Sequence, residues 1–215
     1  MARLTQAEAR EQTRRNLLDA ARRVFGKRGF GGATLDEIAE HAGYTRGALY
    51  YNFPGGKEDL FLELLEERIA ARIEATQSTF SDGGGEDVAS TLAQAREAAA
   101  DAGAAARENR EWQLLFFEFA LHAARDRRFA RRLGASEGRL RAALAELIEA
   151  RAAALGGEPP ISAESLARAL NALANGVMLD RLIEPGAVPE DFLEQIVGLL
   201  IAGVIAQAEQ KARRQ

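Results

Sequence analysis

At 215 residues, 47% apolar and 28% charged, the chain has the composition of a soluble globular protein with one large or two small domains. It contains no cysteine, which excludes a disulfide, a thiolate metal site and a Cys nucleophile, and suits a reducing cytoplasm. The net charge of −4 is unevenly spread: residues 1–57 carry ten Lys/Arg against six Asp/Glu, so that part is +4 and residues 58–215 are −8. Charges more than about 10 Å apart are largely screened at moderate salt, so an acidic remainder does not forbid a basic segment from binding phosphates.

The first predicted helix covers residues 13–28, where Leu17, Leu18, Ala21, Val24 and Phe25 form one apolar stripe, and Gly29 to Gly32 end it. Ahead of it, MARLTQAEAREQTRRN has charge but no apolar core of a secretory signal. Thr34 then opens a second helix as a hydroxyl cap, with Glu37 placed to reach back as in a capping box, and Leu35, Ile38 and Ala39 face inward. Gly43 falls where the helix would otherwise continue and takes positive φ cheaply. A third helix starts from the cap Thr45, with Leu49 and Phe53 pointing back at the second. Small Ala39, Gly43 four later and Leu49 six after that make a helix-turn-helix pattern. Arg46, Gly47, Tyr50 and Tyr51 are left facing out, where side chains can enter a major groove; Arg46 can bond a guanine edge in bidentate fashion.

A long helix is predicted for residues 57–79, with Leu60, Phe61, Leu64, Leu65, Ile69 and Ile73 on its inner face, and SDGGG at 81–85 breaks the chain. Further helices are predicted at 87–107, 110–124, 126–154 with a possible interruption near Gly134 and Gly138, 162–183 and 189–212, with GGEPP at 156–160 as a boundary. In the last helix, Pro189, Glu190 and Asp191 suit a first turn. The apolar run IVGLLIAGVIA has eleven residues, short of the roughly 20 that span a bilayer, and is expected against protein rather than lipid. The chain is thus predicted to be all-α, with about nine helices.

Residues 13–65 resemble the N-terminal domain of the TetR family of bacterial transcriptional regulators: RRNLLDAARRVFGKRGF as first helix, the helix-turn-helix, the Tyr50–Tyr51 pair, and LYYNFPGGKEDLF as the exit. The FPGGK loop is one residue longer than the family's commonest F-x-S-K form. The resemblance implies a three-helix DNA-binding domain at 1–57 and a larger ligand-binding and dimerisation domain at 58–215. It implies that Thr34, Thr45, Arg46, Gly47, Tyr50, Tyr51 and Lys57 meet DNA, with Thr34 and Lys57 holding phosphates. The implied partners are a near-palindromic double-stranded operator, a second copy held through residues 162–183 and 189–212, and an unknown small-molecule effector that releases a repressor. An activator, or a helical small-molecule-binding protein without DNA function, is the alternative. The implied setting is cytoplasmic, with no membrane, cofactor or metal.

For the ligand pocket, the candidates are Trp112, Phe116, Phe117, Phe119 and Met178 as apolar lining, with His122, Asn171 and Asn175 as polar contacts. The same aromatic residues equally suit core filling, and the two Asn equally suit the subunit interface. Acids such as Glu118 or Asp180 would favour an amphipathic or cationic compound. His41 has no ligand set beside it, and Glu118 with His122 has E-x-x-x-H spacing, not the E-x-x-H of carboxylate-bridged metal sites. The G-x-S-x-G match at 134–138 lies between helical stretches, so Ser136 is not expected to be a nucleophile, and no enzymatic function is expected.

Overall fold

The computed structural model describes residues 5–82 and 87–213, in which the chain forms nine α-helices and no strand. They are α1 (Gln6–Gly32), α2 (Leu35–Ala42), α3 (Arg46–Asn52), α4 (Lys57–Asp82), α5 (Val88–Arg107), α6 (Arg110–Arg125), α7 (Arg127–Ala154), α8 (Ala163–Ile183) and α9 (Phe192–Ala212). Most of the SDGGG break lies outside the described residues; α4 ends at its second residue, and Asp87 caps α5 by accepting the Ser90 N–H.

Helix starts deviate from the sequence expectation at both ends of the chain. Helix α1 begins two turns early because Thr5 and Glu8 form a full capping box: the Thr5 hydroxyl accepts the Glu8 N–H at 3.2 Å and the Glu8 carboxylate accepts the Thr5 N–H at 2.7 Å. The expected box at Thr34 is half formed. Thr34 accepts the Glu37 N–H, but the Glu37 carboxylate turns to Arg28 at 3.3 Å. At α9, Pro189, Glu190 and Asp191 precede the helix instead of forming its first turn, and the Phe192 N–H closes a turn onto the Pro189 carbonyl. Helix α7 runs through Gly134 and Gly138 without interruption, since helical glycine costs only about 1 kcal/mol against alanine and the flanking residues pack.

Two compact units divide the chain: residues 1–68 with 114–136, and residues 69–113 with 137–215. In unit 1, Leu17, Leu18, Ala21, Val24 and Phe25 of α1 meet Ile38, Ala39, Leu49 and Phe53 of the helix-turn-helix and Leu60, Phe61 and Leu64 of α4, all nearly inaccessible to solvent. Most of α6 and the start of α7 also belong to this core. Phe119 stacks on Phe61 and packs against Phe30 and Phe129, and all but Phe30 are fully buried. Arg14 ties three helices together: it forks onto Glu63, donates to the Asn52 carbonyl at 2.8 Å and lies 4.4 Å over the Phe53 ring.

In unit 2 the closest helix pair is α5 with α9, where Ala95 and Ala99 meet Leu193 and Val197 and the Arg96 stem crosses Gly198. Arg107 and Arg181 both donate to the Glu190 carbonyl, fixing the loop that reverses the chain between α8 and α9. The span Phe192–Lys211 is, by length and composition, apolar enough to cross a membrane (mean hydropathy 1.5), so the eleven-residue run understates it. Only 17% of that span is buried within one chain, and Leu199 and Ile183 stand 66% and 73% exposed.

Candidate functional site

The basic end of unit 1 is built from local signals. Thr34 accepts the Glu37 N–H and Thr45 the Ala48 N–H, each at 3.2 Å, so both hydroxyls cap short helices. Gly43, at φ 76°, ends α2 in the left-handed region; its N–H bonds back into that helix, and the Tyr44 N–H reaches the Ala39 carbonyl at 2.9 Å. That turn aims α3 so that Leu49 is buried while Tyr51 is 70% exposed. Arg46, Gly47, Tyr50 and Tyr51 therefore share one open face.

Arg46 is held in place on that face. Its guanidinium pairs with Asp36 at 3.1 Å, touches the Tyr50 hydroxyl at 3.5 Å and lies 5.6 Å from the Tyr50 ring centre. The Tyr50 hydroxyl first, and the Asp36 carboxylate second, hold its pKa above the ordinary arginine value. Both partners of the ion pair are more than half exposed, so the pair contributes little to stability and can be exchanged for another acceptor. Gly47 is open: an added Cβ would meet nothing nearer than the Thr45 hydroxyl at 3.8 Å.

Lys57 is engaged within unit 1 in the free protein. Its ammonium donates to the Phe30 and Ala33 carbonyls at 2.8 and 2.9 Å and sits 4.6 Å over the Phe30 ring, closing the end of α1. Partial burial lowers its pKa, with Glu118 opposing that shift. Two of its three donors are used inside the protein, leaving at most one for a phosphate. The long FPGGK loop permits this: Gly56 turns at φ 63°, and the Gly55 N–H is accepted by Asp59 at 2.6 Å. Lys57→Met keeps the stem on Phe30 but strands two carbonyls. Urea denaturation is expected to show a loss of about 1 kcal/mol; unchanged stability would return Lys57 to a purely external role.

The sequence reading overlooked Arg10. Its guanidinium lies 5.3 Å from the Tyr51 ring centre, adding a cation beside the open face of α3. The signal was present in Thr5-x-x-Glu8, which starts α1 early enough to bring Arg10 onto a helix.

The expected pocket residues do not line the cavity of unit 2. Phe119 is core of unit 1, and Phe116 and Phe117 pack edge to face beside it on α6. His122, also in unit 1, meets Glu58 at 3.0 Å and packs against Phe30 and Phe129. Glu118 accepts the Phe30 N–H at 2.6 Å at the kink where Gly29 adopts φ 67°. Trp112, Asn171, Asn175 and Met178 belong to unit 2 but none of them lines its cavity. Asn171 is buried and donates to Glu137 at 3.1 Å. That cavity, about 280 Å³, is bounded by α4, α5, α7, α8 and α9, and its walls are mostly Ala, Leu, Val and Ile. An aromatic run at helical spacing is spent where two elements must interlock, and here they interlock in unit 1.

Ser136 sits mid-helix, almost fully buried, and donates to Glu66 at 3.2 Å. The strand-turn-helix setting of a nucleophile elbow is not there. Among the described residues no group of three or more His, Cys, Asp or Glu is placed to hold a metal ion.

Residues 17–64 match the family described as bacterial regulatory proteins, tetR family, and residues 92–206 match the C-terminal domain of BetI-type transcriptional repressors. Among curated proteins, the transcriptional regulator SrpR of Pseudomonas putida is 50% identical over 72 residues, 34% of this chain and 31% of that protein. AcrR of Shigella flexneri is 50% identical over 66 residues, 31% of this chain and 30% of AcrR. These matches thus span under a third of either relative's length. Solved structures share the fold nearly end to end. Salmonella enterica GusR aligns with a TM-score of 0.65 at 22% identity, over 94% of this chain and 98% of GusR. A TetR transcription regulator from Haloarcula marismortui aligns at 0.65 and 16% identity, over 92% and 98%.

Proposed function

Because the chain belongs to the tetR family of bacterial regulatory proteins, we propose that it is a cytoplasmic, dimeric repressor that a small molecule releases from a near-palindromic operator. The observation that carries this reading is the open face of α3, where Arg46, Gly47, Tyr50 and Tyr51 stand together at the basic end of the chain. Residues 1–57 supply the reading head. Arg46 and the two tyrosines meet bases and phosphates, Arg10 and the helix starts at Thr34 and Thr45 add backbone contacts, and Lys57 serves the head mainly by holding α1.

Residues 58–215 supply dimerisation and effector binding. The bare apolar side of α9, with Leu199, and the end of α8, with Ile183, support a second copy packing there. A two-fold dimer then reads two half-sites about one helical turn apart. Helix α4 carries the coupling: Leu60, Phe61 and Leu64 pack under the reading head in unit 1, and Arg72, Thr76 and Phe80 of the same helix line the cavity of unit 2. An effector acts by binding more tightly to the state in which the two reading heads no longer match the half-site spacing.

Selection from random double-stranded DNA at fixed, near-physiological salt is expected to enrich a two-fold motif, and the free protein to have twice the chain mass of 23.3 kDa. A folded protein that enriches nothing, with or without candidate effectors, would reject the DNA-binding reading. A narrower expectation concerns Gly47→Ala. With nothing for the methyl to strike, the free protein should gain up to about 0.5–1 kcal/mol in denaturation. Operator binding should nevertheless weaken, because the new Cβ projects from the reading face. Unchanged affinity would place Gly47 away from DNA.

A further inference from the structure

The cavity of unit 2 opens where one helix face carries alanine in place of longer side chains. Ala95, Ala98, Ala99 and Ala102 recur at helical spacing along α5, and all four line the space. Helix α7 adds Leu144 and Ile148 to the wall, and α9 adds Ile201 and Val204. An apolar space of about 280 Å³ forfeits the contacts that its lining atoms would make in a filled core, and a molecule of matching shape restores them.

The polar groups of that wall are occupied, balanced or turned away. The Thr76 hydroxyl donates to the Arg72 carbonyl at 2.9 Å, and the Thr91 hydroxyl oxygen, on a residue 6% exposed, is closed off from the space. Phe80 is the one aromatic ring on the wall among the described residues. Arg151 donates to the Phe80 carbonyl and lies 5.2 Å over that ring, so the face that could attract a ligand cation already holds one. Burial lowers the pKa of Arg72 and the Glu137 carboxylate raises it, so part of the Arg72 charge is balanced inside the protein. Glu158 and Glu209 are exposed to water, and Glu209 pairs with Arg213 at 3.7 Å. A charged head entering the cavity would leave its hydration behind without a free partner to replace it.

We propose that this cavity takes a compact, uncharged, apolar ligand with the bulk of two fused six-membered rings. An engineered apolar cavity of about 150 Å³ accepts benzene, and this one, at about 280 Å³, has nearly twice that volume. The reading departs from the amphipathic or cationic compound that Glu118 and Asp180 suggest in the sequence, since Glu118 belongs to unit 1 and Asp180 is exposed and absent from the cavity wall. The inference rests on unit 2 being the effector domain, and it concerns which chemistry the cavity selects.

Titration of the full chain at neutral pH with naphthalene, 2-naphthoate and the 2-naphthylmethylammonium ion, followed by calorimetry or by the fluorescence of the probe, tests it. Naphthalene is expected to bind about tenfold or more tighter than either charged relative, because each of those must bury a charge with no free partner on the wall. Ala98→Leu sets a larger apolar side chain in the space itself and should weaken naphthalene binding about tenfold or more. The charge series on the parent chain decides the matter if Ala98→Leu does not fold. Either ion binding as tightly as naphthalene, no binding of naphthalene, or an unchanged naphthalene affinity in folded Ala98→Leu would overturn the proposal. Naphthalene bound in an Ala98-dependent way, with operator affinity unmoved, would uphold the ligand class and reject the effector reading instead.

Discussion

Phe119→Ala is expected to lower stability by about 3–5 kcal/mol, the usual range for removing a fully buried aromatic ring. Phe119 is 0% exposed and touches Phe30, Phe61 and Phe129, three rings from three other helices. The ring's own transfer from water accounts for part of the loss, and the cavity left among side chains that cannot collapse together accounts for the rest. Urea denaturation followed by a signal from unit 1 measures it. Since the chain has two compact units, the transition need not be two-state, and the loss should appear in the unit 1 phase. Phe119→Leu, which keeps much of the volume, should cost distinctly less. A ligand-lining Phe119 would behave in the opposite way: the variant would stay stable and lose affinity for small molecules. Small-molecule binding by Phe119→Ala, measured under conditions where it remains folded, should match that of the parent chain.

Arg46→Ala should weaken binding to the selected operator by about 1–3 kcal/mol and relax specificity at one position of each half-site. In the free protein Arg46 rests on Asp36 and Tyr50, and leaving Asp36 costs little because both side chains of that pair are exposed. On the proposed reading the arginine gains two parallel hydrogen bonds to a guanine edge, which an ammonium cannot reproduce, so Arg46→Lys should recover charge without recovering specificity. The readout that separates base contact from phosphate contact is the salt dependence. Loss of a phosphate-bound arginine would reduce the slope of log affinity against log salt by about one and weaken all sequences alike. Uniform weakening of that kind would move Arg46 from the bases to the backbone.

The features legible in the sequence are those that close over short distances. The caps at Thr34 and Thr45, the left-handed turn at Gly43 and the buried stripe from Leu17 to Phe25 each depend on residues within one or two turns, and each is where the sequence put it. So is the all-α character, because periodicity, hydroxyl caps and glycine stops act within a single element. Where local reading went astray, a second local signal had been passed over, as with Thr5 and Glu8 ahead of α1; elsewhere two equivalent uses are open to one residue type.

Lys57 shows the second situation. A lysine at a helix start suits an outside phosphate as well as the carbonyls of a neighbouring helix end. Only the return of α4 past residues 30–33 shows that the carbonyls hold it. The aromatic run on α6 is the same case on a larger scale: hydrophobicity states that Phe119 will be buried, but not against which partner. The sequence alone determined the all-α character, the basic N-terminal segment and the family. The tertiary structure decided that α6 completes the core of unit 1 and that the cavity of unit 2 lies among five other helices. Burial is a pairwise property of residues far apart in the chain, and no local pattern carries the identity of the partner.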